Sequence, residues 1–279
     1  MAEHTADHSA DHTADHSAEE RAAAAARTYA NFAPDVEPGR LAASLGRRMG
    51  PLGHFAYQTV GEMWDRPGLN RRDRSLLVIS SLAAQARDEE LVLHTQVGLR
   101  HGLTRTEIEE ILPHVAAYAG FPAAVAASRQ VDDGLRIAEG TERLSDRSVP
   151  PVASDMDRDE AAAEVVATMR GREPRRPSVE LDAYRARFGG VGEVAFRWAF
   201  GEIWSRPYLD RRDRSVVAIS IMVTLAMSRQ LHDHIIFGIE HGLTPPEIRE
   251  IVTHLSLYIG IPRAMEAMTV VDDSLPPAN

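Results

Sequence analysis

The chain has 279 residues, 44% of them hydrophobic, and a formal net charge of -10. That is enough apolar content for a sizeable core, and an acidic balance that argues against a nucleic-acid partner, which would want a basic face. It contains no cysteine, and all 31 basic residues are arginine. Disulfides, thiolate metal sites, Cys-x-x-Cys redox chemistry and any lysine Schiff base, direct or through pyridoxal phosphate, are therefore excluded. Acid–base work falls to His, Asp, Glu or Tyr, and anion binding to Arg, His or backbone amides. No apolar run approaches the roughly 20 residues of a membrane-spanning helix. The polar, acidic first residues predict no signal peptide and a cytoplasmic address.

Residues 1–20 are of low complexity and carry His4, His8, His12 and His16 among Ala, Asp, Ser and Thr. In a helix this spacing would line four imidazoles on one face; the composition predicts a disordered, solvated tail instead. Residues 21–49 read as a helical arm, with an alanine-rich helix over 21–29, a break at Pro34 and Pro38, and a second piece from Arg40. From about residue 50 the apolar residues recur at three- and four-residue steps, with no strand-like alternation. A helix over 53–64 ends at Arg66-Pro67-Gly68. A second covers 71–86, and a third covers 89–100 and stops at His101-Gly102. Thr104 and Glu107 form a capping box for a fourth that ends near Gly120, and Pro122 opens a fifth, to about 134. Residues 137–178 read as a connector with one helix, over 157–169.

The five-helix plan then returns. Gly61-Glu62-Met63-Trp64 reappears as Gly201-Glu202-Ile203-Trp204, and Arg71-Arg72-Asp73-Arg74-Ser75 as Arg211-Arg212-Asp213-Arg214-Ser215. His101, His114, Tyr118, Gly120 and Pro122 return as His241, His254, Tyr258, Gly260 and Pro262, always 140 positions on. One unit has been duplicated. The predicted architecture is all-α, with two tandem helical repeats over 50–136 and 179–279.

Within the repeats, Glu90 and His94 lie four apart on the third helix, on the face that Gly98 and His101 continue. A carboxylate there can orient the imidazole and raise its pKa toward neutrality, which makes His94 a candidate general acid or base. The same spacing is also that of a helix-surface ion pair. Gly98 would let a helix or a small molecule approach closely. In the second copy His234, Gly238 and His241 are kept, Gln230 replaces Glu90, and His232 and Asp233 are gained. His232 and His234 point apart on a helix and make a poor metal pair, and no other metal motif is present. Arg72 and Arg212 could bind a carboxylate in a fork. Glu62 and Glu202, set among apolar residues, are expected to pair with Arg74 and Arg214. Trp64, Trp204, Tyr118 and Tyr258 read as core or interface aromatics, and His114 and His254 as satisfied buried groups.

The run Gly-Glu-x-Trp-x-Arg-Pro-x-Leu-x-Arg-Arg-x-Arg-Ser, then Glu-Glu-Leu-x-Leu-His, Gly-Leu-Thr-x-x-Glu-Ile and His-x-x-x-Tyr-x-Gly-x-Pro resembles the carboxymuconolactone decarboxylase family. Residues 61–131 carry it nearly whole and 201–271 carry most of it. The resemblance implies helical subunits in rings of three or six, hence a homo-oligomer, a trimer or dimer of tandem chains, with sites between helices. The family's peroxidase branch, similar to alkylhydroperoxidase D, needs two cysteines where this chain has Arg87 and Glu90, or Met227 and Gln230, so that activity is excluded. The decarboxylase branch implies loss of carbon dioxide from a small anionic lactone without a cofactor. Carried over, His94, Glu90 and His234 are the catalytic candidates; read from the residues themselves, Arg72, Arg212, His101, His241 and His232 are the substrate-binding ones, for a small carboxylated lactone or an enolisable keto acid. A tautomerase, cyclase or lactone-opening enzyme, and a non-catalytic ring-forming scaffold, are the alternatives on the same fold.

Overall fold

The computed structural model describes residues 17–143 and 153–275, so the His4–His16 strip lies outside the described residues. Among the described residues there are only helices and the turns between them. The chain divides into two compact units, Met1–Arg66 and Pro67–Asn279.

The first unit holds α1 (Ala18–Phe32), α2 (Pro38–Met49) and α3 (Pro51–Asp65). Ser17 caps α1 reciprocally with Glu20, so α1 begins inside the stretch expected to be a tail. Gly61 of α3 is pressed on α1: a Cβ there would sit 2.3 Å from the Cα of Ala25. Thr28 donates to the Gly61 carbonyl at 2.9 Å, and Phe32 meets Trp64 edge-on at 4.9 Å. Glu62 pairs with Arg21 at 3.5 Å, not with Arg74 as the sequence led us to expect.

The second unit is built round two helices, α4 (Arg71–Gln85) and α11 (Arg211–Thr224), which pack against each other. Each starts at a side-chain cap: Asn70 accepts from the Asp73 amide at 2.8 Å and Asp210 from the Asp213 amide at 2.7 Å. Each is buried almost end to end, over 73–84 and 213–224, because apolar residues occupy both faces. Round this pair stand α5 (Asp88–Arg100), α6 (Arg105–Ala119) and α7 (Phe121–Glu139) from the first repeat. The second repeat contributes α12 (Ser228–Glu240), α13 (Pro245–Ile259) and α14 (Ile261–Ser274). The predicted capping boxes, Thr104 with Glu107 and Thr244 with Glu247, are formed. Gly98 is where α5 closes on its neighbours; a Cβ would lie 2.9 Å from the Ile79 methyl, so a helix rather than a ligand takes that space.

Before α11 come α8 (Asp155–Met169), α9 (Pro177–Phe188) and a short α10 (Gly190–Val194) that runs on as a π-helix over Ala195–Trp204. The regular α3 and this α–π segment stand at matching points along the sequence of the two repeats, each ending at the Trp of its Gly-Glu-x-Trp run or one residue beyond it. Both follow a glycine with positive φ, Gly50 at 58° and Gly189 at 61°. As α1 does on α3, α8 packs on the π-helical segment, where Gly201 lies against the Arg158 carbonyl. The same succession of helices is therefore written twice, with one difference: a ten-residue stretch of i→i+5 winding, rare in proteins and often found near functional sites, in the second copy.

Candidate functional site

The helix pair α4–α11 brings the two repeats together through ionic contacts that cross between them. Arg72 reaches Asp213 and Glu107, each at 2.6 Å, and Arg212 reaches Asp73 at 2.8 Å and Glu247 at 2.5 Å. Both guanidiniums were candidates for substrate binding, but each is already held by two carboxylates, and these pairs raise the pKa of Arg72 further. They are a clasp between repeats. Below it, fully buried Arg74 pairs with Glu250 at 2.9 Å and contacts His254 Nδ1 at 2.8 Å. Arg214, just as buried, lies 3.9 Å from Glu110 and 3.4 Å from His114 Nε2, with Arg206 also on Glu110 at 2.5 Å. Glu202 pairs with Arg158 at 3.1 Å. The expected partner of Arg214 is thus replaced by a carboxylate of the other repeat. Buried guanidiniums take the carboxylates that are buried with them, and Glu110 and Glu250 are, whereas Glu202 is half-exposed.

The histidines follow the same exchange. His234 of α12 is met edge-on by Tyr118 of α6 at 5.5 Å, and His94 of α5 by Tyr258 of α13 at 5.5 Å. Trp204, at the end of the π-helix, lies 5.4 Å from His114, 5.8 Å from His234 and 5.9 Å from His241, and its indole N–H donates to the Tyr118 hydroxyl at 2.8 Å. The serine closing each Arg-Arg-Asp-Arg-Ser run completes the arrangement: Ser75 Oγ is 2.7 Å from His101 Nδ1, and Ser215 Oγ is 2.8 Å from His241 Nδ1. Thr168 donates to the Val165 carbonyl, which leaves its oxygen to accept from His241 Nε2 at 3.4 Å. With Nε2 as the donor, Nδ1 of His241 is the acceptor and Ser215 the donor to it.

Burial dominates the titration of these groups. It lowers His94 and His234 to about 3, helped by His101 and His241 respectively. His241 falls to about 4 through burial and the neighbouring Arg211, and His101 to about 4 through burial, Arg71 and Arg100. His114 is driven well below its ordinary value by burial and Arg214. All five are neutral imidazoles near pH 7. The expected Glu90–His94 pair, which would have raised His94, is not formed: Glu90 is exposed and makes no hydrogen bond or ion pair among the described residues. His94 points inward at Tyr258 while Glu90, one turn earlier, lies at the solvent end of α5. His232 is exposed and bonded to Ser274 Oγ at 2.7 Å, away from the other histidines.

One cavity, of about 640 Å³, opens beside this cluster in the second unit. Trp204 and Leu209 form an apolar wall with Val165 of α8; His241, Arg211 and Glu164 supply polar groups. Arg206, Arg212 and Arg214 also line it, but each is engaged in the ion pairs above. Arg211 makes no ion pair among the described residues and is the cation left to meet an anion. His241 and Arg212, both expected at a binding site, border this cavity; His234 lies behind Trp204. Arg211, Ser215 and Glu164 were not among the site candidates from sequence, and Trp204 was read there as a core or interface aromatic. The signal for Ser215 was there, since Ser and His stand 26 residues apart in both copies. Among the described residues, no three His, Asp or Glu side chains converge so as to hold a metal ion, and no helix is long and apolar enough to cross a membrane.

The carboxymuconolactone decarboxylase family model matches residues 56–133 and again 190–273, more than half of the chain. The protein belongs to that family. Two relatives are similar over one repeat's length. A 4-carboxymuconolactone decarboxylase of Acinetobacter baylyi is 41% identical over 82 residues, 29% of this chain and 59% of that protein. A nitrosuccinic acid decarboxylase of Metarhizium robertsii is 36% identical over 83 residues, 30% of this chain and 58% of that protein. The chain thus spans somewhat over half the length of each relative. Within the carboxymuconolactone decarboxylase family it is a tandem member, in which α6 and α13 exchange Glu, His and Tyr side chains between repeats.

Proposed function

We propose that the protein is a decarboxylase-like lyase that removes carbon dioxide from a small carboxylated lactone or enolisable keto acid, in the cavity beside His241. The observation that carries this reading is the meeting, in one 640 Å³ space, of an uncommitted guanidinium, a neutral imidazole and an aromatic wall. Two relatives named as decarboxylases support it. Arg211 would hold the scissile carboxylate of the substrate. The scissile carboxylate, set against Trp204, Val165 and Leu209, would lose hydration, which favours departure of neutral carbon dioxide. The bonding electrons pass to the conjugated carbonyl as an enolate, and one proton at carbon completes the reaction. His241, which lines the cavity, would deliver it. A bound carboxylate offsets Arg211 and lifts the imidazole from about 4 toward the range where it collects a proton, with Ser215 fixing its ring.

A second reading, proton abstraction in a tautomerase, cyclase or lactone-opening reaction on the same scaffold, uses the other tautomer of neutral His241, with Nδ1–H donating to Ser215 and Nε2 as the base. Carbon dioxide release and deuterium uptake from solvent, followed over carboxylated lactones and β-keto acids, separate the two. For the lyase, His241→Ala lowers carbon dioxide release by about 10²-fold or more, and Arg211→Gln raises KM. Deuterium exchange without carbon dioxide moves the assignment to the second reading. Full turnover in a folded His241→Ala variant sinks both.

A further inference from the structure

The cavity holds a second uncommitted charge. Glu164, on α8, lines the same space as Arg211 on α11, is exposed, and makes no ion pair or hydrogen bond among the described residues. Every other charged group of the lining has a partner. Arg206 and Arg214 share Glu110, Arg212 is held by Asp73 and Glu247, and the Asp210 carboxylate caps α11 through the Asp213 amide. Among the charged residues that line the cavity, one cation and one anion remain, Arg211 and Glu164, both of them exposed to the space they share.

From this we infer that the ligand of the cavity is zwitterionic: a small carboxylate that carries a protonated amine at its other end, the carboxylate on Arg211 and the ammonium on Glu164. This rests on the reading of the cavity as the substrate site and narrows its substrate class. A dicarboxylate of the same length would set its second charge against Glu164, and like charges at a partly desolvated site disfavour binding. Glu164 is then a specificity residue. It belongs to the helix that packs on the π-helical segment carrying Trp204, so its carboxylate and the aromatic wall are placed by the same contact.

Calorimetric binding of three probe series to the full chain tests this: ω-amino acids from β-alanine to 6-aminohexanoate, the plain alkanoates, and the dicarboxylates of matching length. The wild type should prefer one length of ω-amino acid over its alkanoate by about tenfold, the optimum measuring the Glu164–Arg211 gap. Glu164→Gln should erase that preference, leave the alkanoate within about twofold, and improve the dicarboxylate. Arg211→Gln should weaken all three series. Equal affinity for amino acid and alkanoate in the wild type, or a preference that survives Glu164→Gln, overturns the inference. Because binding is read without turnover, the pattern can hold while carbon dioxide release fails for every compound tried, and in that case only the lyase reading falls.

Discussion

The third helix of each repeat, α5 and α12, differs most visibly at the position four before its histidine, Glu90 in one and Gln230 in the other. That difference invites the thought that one imidazole is tuned by a carboxylate and the other is not. The structure places both residues at the solvent end of their helices, and burial sets both histidine pKa values to about 3, although His234 meets Trp204 and Phe237 as well as a tyrosine. A difference of winding lies in the helix before the Arg-Arg-Asp-Arg-Ser run. It is regular in α3 and π-wound over Ala195–Trp204, where Trp204 reaches the cavity wall. A substitution on a solvated face can leave a buried site alone.

The largest effects should come from the exchanged buried pairs. Arg74→Met removes the partner of Glu250 and should cost about 3–5 kcal/mol in urea unfolding. Arg214→Met should cost less, because Glu110 keeps Arg206. Equal losses would mean that the two pairs are energetically alike despite their different geometry. The histidines come next. Their folded pKa values lie below the ordinary 6.5, so between about pH 6.5 and 3 the unfolded chain binds the more protons. Stability is therefore full above 6.5 and falls as the pH drops through that window. Fully buried His94 and His234 each contribute a slope of up to about 1.4 kcal/mol per pH unit. His94→Gln and His234→Gln should flatten the urea midpoint against pH by similar amounts, and a flattening confined to one would show that burial does not act equally on the two.

Smaller again is the clasp. Arg72→Gln should cost about 1–2 kcal/mol, since its ion pairs are partly solvated, and should leave substrate KM unchanged, whereas Arg211→Gln does the opposite. Smallest of all, Glu90→Gln, which makes the first copy like the second, should shift stability by no more than about 0.5 kcal/mol and leave the NMR titration of His94 in place. A moved titration would restore the carboxylate–imidazole pair that the structure does not form.

Much of the fold was legible because each helix carries its own signals. Capping boxes at Thr104 and Thr244, glycine stops, and apolar steps of three and four residues are local, and a 140-residue offset kept at every match marks the duplication. Partner choice was not legible in the same way. Reading Glu62 with Arg74 and Glu202 with Arg214 used proximity within a repeat, but the carboxylates come from the opposite repeat. Since Glu110 and Glu250 stand 140 apart like everything else, symmetry alone cannot say which of two equivalent carboxylates an arginine takes. A clue was present: Glu, His and Tyr recur at four-residue steps on α6 (110, 114, 118) and on α13 (250, 254, 258), a polar stripe on an otherwise apolar face. Such a stripe needs buried counterparts, and Arg214 with Trp204 on one side and Arg74 on the other provide them. The direction in which the histidine pKa values move was missed for a related reason. Spacing reveals a neighbour four residues away but not the loss of water that outweighs it.

The packing of α4 on α11 has a consequence for how such a protein can change. In a symmetric pair of identical subunits, every substitution near the twofold axis is made twice and must suit both sides at once. Here the two sides of the axis are encoded separately, and being on one chain they meet at an effective concentration on the order of millimolar however dilute the protein is. Mutations in one half therefore need no matching mutation in the other. One half can hold the shared contact while the other changes.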